Sequence, residues 1–175
     1  MDINEVLKLM DYGFAVHPCA AGGKAPILYD WPNRRMTRWE ARDLWARDPN
    51  LNVGMVCGAT GWVVVDLDAQ ANVDGGLANL PETPLMVRSG SGDGLHMFYR
   101  WPVGMPVKKS KILLPWVRDG RPGKVRPGNG ADLFGDGSQV VLPPSIHPSG
   151  NRYEWVNGLV PTEQVPFFNL EWLVG

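Results

Sequence analysis

A chain of 175 residues with a formal net charge of −1 is long enough for one hydrophobic core and carries no general basic footprint, so contact with nucleic acid has to come from a local patch. It is 44% hydrophobic and 20% charged, ordinary for a globular domain, but 21 glycines, 16 prolines and eight tryptophans predict many short elements, rich in β-structure, joined by specific turns. The two cysteines, Cys19 and Cys57, lack paired spacing, which excludes a zinc knuckle, argues against a disulfide framework and suits small core residues.

The first residues predict a helix: Asp2 and Glu5 form a capping box, Ile3, Val6, Leu7 and Met10 recur at helical spacing, and Gly13 stops the run. Phe14–Cys19 reads as a strand entering the loop Gly22-Gly23-Lys24-Ala25-Pro26, where glycine lets backbone approach a ligand closely. The loop lacks the spacing and the Ser/Thr of a phosphate loop, so Lys24 by itself is a solvated lysine. A second capping box, Thr37 with Glu40, opens a helix with Ala41, Leu44 and Trp45 on its apolar stripe, ended by Asp48-Pro49. Leu51–Val56 returns to extended structure, and the chain turns through Gly58–Gly61.

Trp62-Val63-Val64-Val65 then reads as a buried strand ending in Asp66-Leu67-Asp68. Alternation puts Asp66 and Asp68 on one face, with α-carbons about 6–7 Å apart. Two carboxylates that close repel unless a cation or a proton lies between them, which suits Mg²⁺ or Mn²⁺. The plainer alternative is that both merely end the strand and cap a following helix; Asp74–Leu80 could be a short one, weakened by Gly75 and Gly76.

Leu85–Ser89, a glycine-rich turn and Leu95–Arg100 predict a hairpin with His96, Phe98 and Arg100 on one face and His96 at its mouth. Between Val107 and Arg126, Lys108, Lys109, Lys111, Arg118, Arg121, Lys124 and Arg126 supply seven of the chain's 17 cations, with Trp116 among them. Cations around an aromatic suit the phosphates and base faces of a nucleic-acid strand, although solubility explains a basic loop equally well. Ala131–Phe134, Gly135-Asp136-Gly137 and Ser138–Leu142 predict a second hairpin, with Asp136 in its turn and Asp132 on its strand. A rigid connection from Pro143 to Gly150, a strand at Arg152–Val156 and one helical turn at Asn169–Leu173 complete the chain. Helices followed by strands make the expected class α+β with a curved antiparallel sheet.

Phosphoryl and nucleotidyl transfer need held metal ions and stabilised phosphate charge more than covalent help from side chains. Asp66, Asp68 and Asp132 could supply bridging carboxylates from adjacent strands, with a histidine and a flexible lysine beside the triphosphate. Four stretches together resemble the primase-polymerase domain of the archaeo-eukaryotic primase superfamily, as carried by plasmid and phage replication proteins. They are Gly23-Lys24-Ala25-Pro26; Asn52-Val53-Gly54 through Cys57-Gly58 to Val65-Asp66-Leu67-Asp68; Ser89-Gly90 followed by His96; and Asp132 through Gly137, Pro143-Pro144-Ser145 and His147 to Gly150 and Tyr153.

The resemblance implies one catalytic domain over 1–175, divisible into a small αβ unit at 1–60 and an RRM-like antiparallel catalytic sheet at 61–175. It implies Asp66, Asp68 and Asp132 as ligands of two divalent ions, Mg²⁺ or Mn²⁺. His96 would contact the phosphates of the incoming nucleotide, Ser89 and Gly90 would shape its loop, and Lys24 and Ser145 would touch the triphosphate. No zinc is implied, because the cysteines of the zinc-binding insert of some relatives are missing. The implied activity is template-dependent primase/polymerase chemistry on a DNA template and primer with nucleoside triphosphates. Relatives continue into a helical priming module and a helicase, so a chain ending at Gly175 reads as an excised core or a minimal enzyme. No apolar run reaches membrane-spanning length and no signal-peptide pattern is present, so a cytoplasmic monomer without membrane contact is expected. The competing reading is a catalytically inactive nucleic-acid-binding replication module resting on the basic loop. A nicking nuclease is disfavoured because His17, His96 and His147 form no His-x-His pair.

Overall fold

A computed structural model describes residues 1–67, 80–92, 94–113, 117–118, 121–122 and 130–173. α1 (Ile3–Asp11) starts on Asp2, whose carboxylate accepts the Asn4 amide at 2.9 Å. The Glu5 side chain returns no bond to the cap, so a simple Asp cap stands where a capping box was expected. α2 (Arg38–Arg47) does have the full box: Thr37 Oγ1 accepts the Glu40 amide at 3.2 Å and Glu40 Oε2 accepts the Thr37 amide at 2.8 Å. Its buried face carries Ala41 and Trp45. Among the described residues no helix is long and apolar enough to cross a membrane.

The strands are β1 (Val16–Cys19), β2 (Asn52–Val56), β3 (Trp62–Leu67), β4 (Met86–Arg88), β5 (Leu95–Arg100), β6 (Ser110–Leu113), β7 (Val117–Arg118), β8 (Arg121–Pro122), β9 (Gly130–Phe134), β10 (Gln139–Val141) and β11 (Glu154–Trp155). They make a three-stranded sheet, β1-β2-β10, a six-stranded sheet, β11-β4-β5-β3-β9-β6, and a β7-β8 ribbon, all antiparallel. Within the large sheet, β5 lies between β3 and β4 while β9 flanks β3 on its other side, the split arrangement of an RRM-like sheet.

β3 is hydrophobic throughout because both its faces are covered. Trp62 and Val64 join a core with α1, α2 and the small sheet; Val63, Val65 and Leu67 pack on the opposite side with Met97, Tyr99, Leu133 and Ile112. Phe14 joins the two sheets, with its ring centroid 4.9 Å from Trp62, 6.0 Å from Phe98 and 6.3 Å from Trp155.

The hairpin of β4 and β5 forms as the pattern predicts. The second expected hairpin does not. β9 pairs with β3 and β6, whereas β10 leaves for the small sheet and pairs with β2. The turn at Asp136-Gly137 therefore carries the chain between sheets. Its carboxylate accepts the Ala59 amide at 2.7 Å and the Val107 amide at 2.8 Å, tying together two segments distant in sequence. Turn chemistry fixes a local reversal; the available partner strand decides which sheet the next segment joins. The helical turn near the C-terminus is present as a 3-10 turn at Leu170–Leu173. The candidate helix at Asp74–Leu80 falls almost wholly outside the described residues.

Candidate active site

Antiparallel register sets four side chains in one row across the large sheet. Lys111 on β6 is opposite Asp132 on β9, Asp132 is opposite Asp66 on β3, and Asp66 is opposite His96 on β5. Directly opposed residues share a face and stand close enough to interact. Asp66 continues the face of Trp62 and Val64, so the apolar run that buries the strand also delivers a partly exposed carboxylate near its end.

Each end of the row is a close pair of opposite character. His96 Nε2 lies 3.3 Å from Asp66 Oδ1, and Lys111 Nζ lies 2.8 Å from Asp132 Oδ2. The Asp66 and Asp132 side chains remain 33% and 26% exposed, open to a ligand, while that of His96 is 11% exposed. Burial pushes His96 below the ordinary imidazole range, the Asp66 carboxylate pulls it up and the Lys24 ammonium pushes it down. The net direction leaves a neutral ring near pH 7. Its Nε2 is the ring nitrogen that faces Asp66, and among the described residues the buried Nδ1 has no hydrogen-bond partner.

Two like charges on neighbouring strands repel, and here each carboxylate has a nitrogen donor at an oxygen. Hard oxygen donors side by side and partly exposed suit a divalent cation, so the pair fits as part of a donor set. Among the described residues no group of three His, Cys, Asp or Glu side chains is placed to hold a metal ion. Asp68 lies outside the described residues.

The other predicted residues distribute unevenly. Lys24 is exposed on its loop, and its charge is felt by both His96 and His147. The loop is held by Gln139 Nε2 donating to Lys24 O at 2.9 Å and by Asn52 Nδ2 donating to Gly23 O at 2.8 Å. Ser89 and Gly90 form the turn between β4 and β5, where Ser89 Oγ accepts the Ser91 hydroxyl at 3.1 Å. Gly90 has no room for a side chain, since an added Cβ would meet His147 Cβ at 2.3 Å.

Ser145 keeps its hydroxyl inside the fold. It is 1% exposed, and Oγ accepts the Val53 amide at 2.9 Å while contacting Val53 O at 3.3 Å. Its place is behind the site, pinning β2 to the Pro143–Gly150 connection. Asn52 does related work: its amide bonds Ile146 in both directions, at 2.7 and 2.9 Å. A buried asparagine in an apolar strand is a detectable sequence signal, because buried polar groups need partners.

Of the basic candidates, Lys108 and Lys109 are exposed, Lys109 with its ammonium 4.7 Å from the Phe134 ring centroid. Lys111 belongs to the carboxylate row. Arg118 and Arg121 are opposite each other in the β7-β8 ribbon. Lys124, Arg126 and Trp116 lie outside the described residues. Cys19 and Cys57 are buried free thiols, and burial pushes the Cys19 thiol up to about 12.

Sequence reasoning missed the part played by Tyr153. It is 2% exposed, its ring lies 6.2 Å from that of His96 and 5.6 Å from that of His147, and burial with the charges of Asp66 and Cys19 raises its phenol to about 12. Nothing in a linear pattern announces those ring contacts.

Among curated proteins none matches the chain. The family model of the bifunctional DNA primase/polymerase N-terminal domain, Prim-Pol, matches residues 6–167, and that span contains every member of the Lys111–Asp132–Asp66–His96 row. With the split antiparallel sheet carrying two acids and a histidine on one face, the chain belongs to the Prim-Pol family of DNA primase/polymerases, whose work brings nucleic acid and nucleotides together.

Proposed function

We propose that this domain is a template-directed nucleotidyltransferase of plasmid or phage replication, joining a nucleoside triphosphate to a 3′-hydroxyl with release of pyrophosphate. The in-register row Asp132–Asp66–His96 carries the reading. Asp66 and Asp132, with Asp68, would hold two Mg²⁺ or Mn²⁺ ions. Such ions, when bound, acidify the attacking hydroxyl and offset charge on the departing diphosphate.

The side chains do the positioning. His96 stands beside Asp66 with its ring against Tyr153 and Nδ1 buried, so Nε2 is the ring atom that would meet a phosphate oxygen. Lys24, on a loop held by Asn52 and Gln139, adds a positive charge over the same space. The 3′-oxygen forms its bond to the α-phosphorus as the bond from that phosphorus to the bridging oxygen breaks. The attacking hydroxyl's proton is lost to solvent.

Lys108 and Lys109, with the charged segment beyond them, would track the template backbone. Primer extension with Mg²⁺ or Mn²⁺ tests the whole reading, using Asp66→Asn and Asp132→Asn beside the wild type. Each variant is expected to fold and to lose extension by at least about a thousandfold, the scale on which removal of essential electrostatic groups acts. Extension at the wild-type rate by either variant overturns the assignment. DNA binding with no extension by the wild type would make the chain a binding module.

A further inference from the structure

The connection after β10 carries a second imidazole, His147, whose ring, like that of His96, packs against Tyr153. His147 Nδ1 accepts the Ser149 amide at 3.0 Å, and the Ser149 hydroxyl, 2.9 Å from the same nitrogen, donates to Gly90 O at 2.7 Å. Asn151 Nδ2 also donates to Gly90 O, at 3.0 Å. A backbone amide donating to Nδ1 requires a lone pair there, so the ring proton sits on Nε2. Among the described residues Nε2 has no hydrogen-bond partner, and it is not among the buried unpartnered atoms. It is therefore an accessible N–H donor on a ring whose orientation is fixed.

The surroundings say what such a donor could meet. The Tyr153 ring neighbours both imidazoles, its centroid 6.2 Å from that of His96 and 5.6 Å from that of His147. Lys24 is exposed, and its positive charge lowers both imidazoles. At Gly90 the backbone comes so close to His147 that any side chain would displace the ring. The Asp66 carboxylate is engaged at His96 Nε2, 3.3 Å away, and the His147 N–H and the Lys24 ammonium add donors and positive charge. That chemistry suits the oxygens of a polyphosphate.

We infer that His147 is a second imidazole ligand of the nucleotide's triphosphate, donating Nε2–H to a β- or γ-phosphate oxygen while Nδ1 locks the ring to the Ser149 amide. The inference rests on the nucleotidyltransferase reading and adds to it a residue that would set the preference for triphosphate over monophosphate. His147 would position the diphosphate that later departs; it takes no proton from the reacting hydroxyl.

The two ring nitrogens can be separated by substitution. In His147→Asn the amide oxygen can replace Nδ1 as acceptor for Ser149 while the distal donor is lost; in His147→Gln the longer amide can supply that donor. The probes are dATP, dAMP and inorganic tripolyphosphate with Mg²⁺, titrated into the full chain by calorimetry, with thermal midpoints and steady-state extension measured alongside. His147→Asn is expected to keep its melting midpoint, to weaken dATP and tripolyphosphate about tenfold, the loss of one charge-assisted bond, and to leave dAMP unchanged. KM for the nucleotide should rise by the same factor with kcat nearly constant, and His147→Gln should recover most of the affinity.

Unchanged dATP affinity in His147→Asn overturns the inference while leaving the proposed function intact. So does a common loss for dATP and dAMP that follows a lowered melting midpoint in both variants, because His147 would then only tie loops together. A wild type that binds neither dATP nor tripolyphosphate overturns both readings.

Discussion

Replacing Asp136 separates the acid that holds the sheets in place from the acids assigned to chemistry. Its two carboxylate oxygens accept the Ala59 amide at 2.7 Å and the Val107 amide at 2.8 Å, and its own amide donates to Val107 O at 2.7 Å. The approach is so close that a Cβ on Gly58 would stand 2.0 Å from Asp136 Oδ1. A hydrogen bond to a charged group contributes about 1.5–3 kcal/mol, and the exposed carboxylate puts each bond at the lower end. Asp136→Ala should then cost roughly 2–4 kcal/mol, which for a domain of this size lowers the melting midpoint by roughly 5–15 °C. Asp136→Asn keeps one acceptor and turns an NH₂ towards the other amide, so it should fall about as far. The assay is thermal and urea unfolding, paired with primer extension well below both midpoints. The variants should be less stable yet extend primers normally, the inverse of Asp132→Asn. A shift under about 2 °C would refute the stitching argument. Lost extension in a folded Asp136 variant would refute the choice of Asp132 as the acid that acts in catalysis.

Other outcomes follow from the same contacts. Lys111→Met, which removes an ammonium 2.8 Å from Asp132, should tighten Mn²⁺ binding several-fold by calorimetry; a fall in DNA affinity with metal binding unchanged would return Lys111 to the template path. His17 is 2% exposed and burial lowers its imidazole to about 4, so the unfolded chain takes up a proton below pH 6.5 that the folded chain refuses. Stability should therefore fall as pH drops from about 6.5 to 4, by about 3 kcal/mol in total, and urea unfolding of His17→Gln should lack that share of the slope. Phe14→Ala removes the ring between the sheets and should cost about 3–5 kcal/mol in denaturant unfolding. Neutralising Lys108, Lys109 and Arg126 together should weaken DNA binding at low salt and flatten its salt dependence; an unaltered slope would place the template elsewhere.

The helices, the central strand and the β4-β5 hairpin were legible in the sequence because each is decided locally. The Thr37–Glu40 box, the Gly13 stop and the valine run act within a few residues, where side-chain sterics and short hydrogen bonds choose the conformation. Asp66 and His96 could be singled out for a similar reason: strand alternation alone fixes which way each points. What they meet was settled only by tertiary pairing. The register that sets Asp132 between Asp66 and Lys111, the departure of β10 to the small sheet, and the burial of Ser145 against Val53 depend on strands far apart in the chain. A local turn signal such as Asp136-Gly137 is the same in a hairpin and in a crossing between sheets. The crossing buries Val140 and Val141 in the core that holds Phe14, Trp62 and Phe98, a packing that exists only once the sheets have come together.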